Sequence, residues 1–192
     1  MEQSSNQNEE AIVLLERAVK IDPELKNTQI ALATTLYQTG EAERAVSMYK
    51  ELLEQYPNDV QILNNLAWIL QEHDQRYDEA LELVNRGLAL SQNDIYLLDT
   101  RGNILANMNN RLADARDDYE RLVELTPANS PPRVSALLGL GRVYAKLKEL
   151  DQAQHYLQDA LEINRQIEVL TQEEISEIQN ILDSSAANRT NP

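Results

Sequence analysis

An alanine recurs along this 192-residue chain at intervals of 34 to 38 residues, at Ala11, Ala45, Ala80, Ala115 and Ala153. The surroundings recur with it. Four copies read Glu43-Arg44-Ala45-Val46, Asp78-Glu79-Ala80-Leu81, Ala113-Asp114-Ala115-Arg116 and Asp151-Gln152-Ala153-Gln154. Self-similarity at this period is the signature of a solenoid, in which each unit packs only on its neighbours. Such a chain works through its surface, so a groove rather than a closed pocket is where its function is expected.

Within one unit the apolar residues recur every three or four positions. Ile30, Leu32, Leu36 and Tyr37 precede Gly40; Ala45, Val46, Tyr49, Leu52 and Leu53 follow it and lead to Pro57. That spacing predicts two amphipathic helices. Gly40 permits a tight turn between them, and Pro57 separates one pair from the next. Small residues stand at two fixed places, Ala33, Ala67, Gly102 and Gly141 in the first helix and the recurring alanine in the second. Helices cross closely only where a side chain is small.

On these residues the chain resembles the tetratricopeptide repeat family over about residues 8–164. The resemblance implies an all-α, right-handed α-solenoid of helix-turn-helix units. The expected organisation is an orphan second-type helix over 8–24, repeats over 26–59, 60–94, 95–129 and 130–164, and a capping helix over 171–183. Residues 1–7 and 184–192 are expected to be disordered. The capping helix opens on the box Thr171-Gln172-Glu173-Glu174, and Ser130 is the expected N-cap before Pro131. The chain departs from the family in several places. The tryptophan early in helix A is replaced by Gln29, Leu63, Leu98 and Leu137. Arg101 takes a usually apolar position, and one extra residue lies near Asp74-Gln75-Arg76 and another near Asn109-Asn110-Arg111.

Nothing in the sequence has the pattern of an enzyme. There is no cysteine, so no disulfide framework or thiolate metal site is expected. His73 and His155 lie in different units, too few for a metal centre. The five glycines form no phosphate loop. Neither cofactor nor metal is expected. A net charge of −15 opposes nucleic acid and anionic membranes as partners, and no apolar run reaches the about 20 residues of a membrane-spanning helix. Met1 to Asn6 lacks the basic and apolar regions of a signal peptide. The compartment stays open between the cytoplasm, which is favoured, the periplasm and a tethered longer protein.

In the family the first helix of each pair, helix A, lines the concave side. By that resemblance the groove of this chain would carry Thr34 and Tyr37, then Asn64, Asn65 and Trp68, then Asp99, Asn103 and Asn107, and finally Arg142 and Lys146. Amides can bracket a peptide main chain, and aromatic rings are enriched in binding hot spots. Arg142 and Lys146 lie in a stretch without acids, four residues apart on one helical face, and could hold a carboxylate of the partner. The other reading is intramolecular, with these cations neutralising acids such as Asp99. A family-type carboxylate clamp over the first three repeats is not expected: Asn65 matches it, but Asn27 and Ile30 stand where bases are needed. The expected function is a scaffold that binds a protein or peptide partner. The alternatives are self-assembly into a homo-oligomer through the uncovered face of helix 8–21, or a recruiting arm of a longer protein.

Overall fold

The computed structural model describes residues 2–189, the side chains of 2–7, 109 and 185–189 excepted. Among the described residues there are ten α-helices and no strand. They fall into two compact units, residues 1–92 and 93–192.

The first unit comprises α1 (Glu2–Ile21), α2 (Lys26–Gln38), α3 (Ala42–Gln55), α4 (Val60–Glu72) and α5 (Tyr77–Leu90). Each helix packs on its successor, and α2 also touches α4. The second unit comprises α6 (Ile95–Asn107), a 3₁₀ turn (Asn109–Arg111), α7 (Leu112–Leu125), α8 (Pro131–Lys146), α9 (Leu150–Ile167) and α10 (Gln172–Arg189). Here too neighbours pack in order, and α6 also touches α8. The pairs α2–α3, α4–α5, α6–α7 and α8–α9 are the four helix-turn-helix units.

The small residues sit where the helices meet. Ala33, Ala45, Ala67, Ala80, Ala115 and Ala153 have no exposed surface. At Gly102 an added Cβ would stand 2.8 Å from the ring of Tyr119, and at Gly139 it would lie closer still to the same ring. Tyr119 of α7 is therefore wedged into a slot between α6 and α8 that two missing side chains create. Around these contacts the large residues Tyr49, Leu52, Leu63, Leu66, Leu70, Leu97, Leu98 and Leu122 are fully buried. Each aliphatic side chain contributes about 1.5–3 kcal/mol through its burial.

Capping explains several helix starts. Asp59 and Asp94 accept the backbone N–H groups of Gln61 and Ile62, and of Tyr96 and Leu97, at 3.0–3.1 Å. Ser130 precedes α8 and Pro131 opens it, but the serine hydroxyl donates to Pro127 O and caps nothing. Its extended backbone alone sets the entry. The box at α10 forms in full: Glu174 N–H donates to Thr171 Oγ1 at 3.2 Å and Thr171 N–H to Glu174 Oε2 at 2.8 Å. Helix also runs through residues 2–7 and 184–189, where composition pointed to disordered ends. No glycine or proline interrupts either stretch. Met1 and residues 190–192, with the last residue of the sequon Asn188-Arg189-Thr190, lie outside the described residues.

Arg101, the charged residue at a usually apolar position, is matched by a buried acid on the facing helix. Its Nε and Nη2 donate to Asp118 at 2.7 and 2.6 Å. The unusual arginine of α6 and the buried aspartate of α7 thus satisfy each other, as buried charges must.

Candidate functional site

In the first unit α2 and α4 stand side by side and leave an open cleft of about 200 Å³ between them. Thr34, Tyr37 and Gln38 line it from α2, Tyr49 from α3, and Asn65, Trp68 and Ile69 from α4. Thr34, Tyr37 and Gln38 share one side of α2 because residues three and four apart are neighbours on a helix, and the same spacing joins Asn65 to Trp68 and Ile69. Of the residues the sequence singled out in this unit, Thr34, Tyr37, Asn65 and Trp68 are brought together. Asn64 lies on α4 but does not line the cleft.

The floor is a directed chain of hydrogen bonds. Thr34 Oγ1 donates to Ile30 O at 2.9 Å, which uses its only proton. With that proton so placed it accepts from the Tyr49 hydroxyl, 2.7 Å away, which also lies 3.4 Å from Ile30 O. With its proton so committed, the Tyr49 oxygen accepts from Asn65 Nδ2 at 2.9 Å. One polarity runs through all three bonds, from Asn65 to Tyr49 to Thr34 to Ile30. In this arrangement the Asn65 amide turns Nδ2 to Tyr49 and has Oδ1 left over as an acceptor. Burial pushes the Tyr49 phenol above its ordinary range, partly offset by the bonds to Thr34 and Asn65. Burial also raises the Tyr37 phenol, as does the nearby charge of Glu72, while the Trp68 indole acts in the opposite direction.

In the second unit the equivalent positions gather around Tyr119. Its hydroxyl donates to Asn103 Oδ1 at 3.1 Å, and Asn103 Nδ2 donates to Asp99 O at 2.9 Å. Ser135 Oγ donates to Asp99 Oδ1 at 2.8 Å. Burial raises the Asp99 carboxyl above its ordinary range against the lowering effect of that serine. Arg142 does not turn to Asp99. Its Nε donates to Glu177 Oε1 of α10 at 2.9 Å, and its Nη2 donates to Glu177 Oε2. Lys146 Nζ donates to Ala106 O at 2.7 Å. Neither cation is therefore without an intramolecular partner. Asn107 is exposed at the end of α6, with no part in these contacts.

Sequence reasoning missed three features. Tyr49, Gln38 and Ile69 line the cleft, although Tyr49 had been read only as part of an apolar stripe. Tyr119 is the buried tyrosine of the second unit, and its bond to Asn103 is likewise not visible in the repeat pattern. Glu177 of the capping helix is the third, and no spacing rule links it to Arg142, 35 residues away. One signal was available: a tyrosine hydroxyl at a buried position needs a partner, so each such tyrosine points to a polar neighbour.

Comparison with known proteins agrees with this architecture. The tetratricopeptide repeat family is matched by one of its models at residues 3–69 and 36–104, and by a second at 95–166. None of the curated proteins matches in sequence. Several solved structures share the fold. PilW, a widely conserved type IV pilus biogenesis factor, is 19% identical with a TM-score of 0.79, over 97% of this chain and 84% of its own. A thermophilic repeat protein of Thermus thermophilus is 18% identical with a TM-score of 0.74, over 94% and 93%. MamA is 19% identical with a TM-score of 0.69, over 88% and 95%. With the small residues at the helix crossings, four helix pairs and family matches that together run from residue 3 to 166, the chain belongs to the tetratricopeptide repeat family and has its all-α solenoid fold.

Proposed function

We propose that this chain is a non-enzymatic scaffold that holds a peptide or a partner helix against its A helices. The observation that carries the reading is the cleft between α2 and α4. Two aromatic side chains, Tyr37 and Trp68, flank a polar floor whose bonds are already made. A site ordered before its ligand arrives loses little side-chain entropy on binding. The second unit adds Asn103 and Asp99, likewise held by internal bonds. No step of covalent chemistry is needed for any of these groups to act.

The test is capture of partners by the wild-type chain and by Trp68→Ala and Asn103→Ala variants, followed by titration of the recovered partner. The partner should bind the Trp68→Ala chain at least about tenfold more weakly, since aromatic hot spots contribute about 2 kcal/mol or more. An unchanged affinity for both variants would move the site away from the A helices.

A carboxylate of the partner at Arg142 remains part of the reading in a changed form. Glu177 already holds the guanidinium, so the incoming group must replace it. Self-assembly is the second reading, and α1 supports it: Val13, Leu14 and Ile21 are 55%, 57% and 83% exposed. Sedimentation at several concentrations decides it. A Leu14→Glu chain should then dissociate where the wild type associates, and a strict monomer at all concentrations removes the idea.

A further inference from the structure

We infer that the cleft between α2 and α4 takes a cationic side chain, a lysine or arginine of the bound partner. The inference rests on the protein-binding reading above and names what that partner presents at this place. It follows from three features of the cleft.

The first is the walls. The faces of Tyr37 and Trp68 carry the negative side of an aromatic quadrupole, to which ammonium and guanidinium groups are attracted. The second is charge. No lysine or arginine lines the cleft, and the carboxylate whose field Tyr37 feels is that of Glu72 on the facing helix. An acidic side chain of a partner would meet repulsion here, and a cation attraction.

The third is the direction of the hydrogen bonds. The chain from Asn65 through Tyr49 and Thr34 to Ile30 spends the Tyr49 and Thr34 protons and one of the two Asn65 amide protons, and leaves Asn65 Oδ1 as an acceptor. Turning the amide over would have Tyr49 donate to Asn65 Oδ1 and Thr34 donate to Tyr49, at the expense of the Thr34 bond to Ile30 O. The same face of α4 carries two more acceptors. Asn64 Oδ1, four residues before Trp68, and Gln71 Oε1, three after it, are buried and have no donor among the described residues. Gln71 itself is 2% exposed. Neither of these two lines the cleft, so the acceptor that meets a bound ligand is Asn65 Oδ1, and it favours a side chain that carries N–H donors. An aliphatic side chain would cover Asn65 Oδ1 and leave it unpaired, at a cost of about 1–3 kcal/mol.

Trp68 is the sole tryptophan, so its indole N–H gives a single resonance in a proton–nitrogen correlation spectrum and reports occupancy of this cleft directly. The probes are the capped tripeptides Gly-Arg-Gly, Gly-citrulline-Gly, Gly-Leu-Gly and Gly-Glu-Gly, added to the full chain. Citrulline keeps the shape of arginine and removes its charge. The arginine peptide should move the indole resonance saturably and bind at least about fivefold more tightly than citrulline. In a Tyr37→Leu chain its affinity should fall by about two- to fivefold, the range of an exposed cation–π contact. Citrulline or leucine binding as tightly as arginine overturns the cation assignment and leaves the protein-binding reading in place. A glutamate peptide binding most tightly overturns it as well. If no probe moves the resonance saturably, the cleft is not a binding site and both readings fail here.

Discussion

Two aspartates show how position, not residue type, sets the response to pH. Asp99 is half-buried beside Tyr119, and its carboxyl is raised. Its charged form is disfavoured by folding, so the stability it contributes is present below the ordinary carboxylate range and is lost as pH rises through the folded value. Asp99→Asn, which keeps an acceptor for Ser135, should raise the melting temperature at pH 7 and lose that advantage below about pH 4. Asp59 has the opposite sign. Burial works to raise it, but the Lys26 ammonium at 2.7 Å and the N–H of Ile62 outweigh burial and hold it low. Its contribution is present at neutral pH and is lost as pH falls through the lowered folded value. Asp59→Ala should cost about 1 kcal/mol at pH 7 in urea denaturation, as loss of an N-cap does. At Gly139 the limiting factor is space. Alanine there gains about 1 kcal/mol of helix propensity but meets the ring of Tyr119, so Gly139→Ala should lose about 1–3 kcal/mol net.

At the level of the helix pair, the turns solve one problem in two ways. The first, second and fourth pairs each pass through a left-handed residue, Gly40 at φ 88°, Gln75 at 52° and Lys148 at 63°. After each of them a backbone N–H reaches back to the preceding helix: Glu41 to Leu36 O, Arg76 to Leu70 O, and Glu149 to Tyr144 O. The third pair uses the 3₁₀ turn Asn109–Arg111 instead. Only the first turn has the glycine that the geometry prefers. Gly40→Ala should therefore cost about 1 kcal/mol although the space around it is open, and Lys148→Gly should gain up to about 1 kcal/mol. Chemical denaturation of the two variants gives both signs in one experiment. The last helix is held differently. α10 is anchored by its capping box, by Ile178 packed against Leu138 and Leu157, and by the pair of Glu177 with Arg142. Replacing Thr171 and Glu177 by alanine together should speed hydrogen exchange across α10 while leaving α6 and α7 protected.

Over the whole chain the dominant quantity is charge, −15 at pH 7. Many of its ion pairs are short-range and exposed, such as Arg44 with Glu41, Arg76 with Glu79 and Arg111 with Asp114. Such pairs contribute little, whereas the summed repulsion of an acidic surface acts throughout. Raising sodium chloride from low to about 0.5 M should therefore raise the melting temperature by a few degrees, because screening at about 4 Å removes more repulsion than attraction. A falling melting temperature would show that the pairs matter more. The repeat was legible from the amino-acid order because it depends on local rules: alanine at a fixed period, apolar residues every three or four, a proline or an aspartate where a pair ends. The positions of Thr34, Tyr37, Asn65 and Trp68 along helical faces were legible for the same reason. What those side chains do was decided by contacts between helices. The polarity of the Asn65 amide depends on Tyr49, 16 residues away, and Arg142 is matched by Glu177 at a separation of 35. Periodicity tells which face a residue occupies; only the packed helices determine which donor meets which acceptor across it.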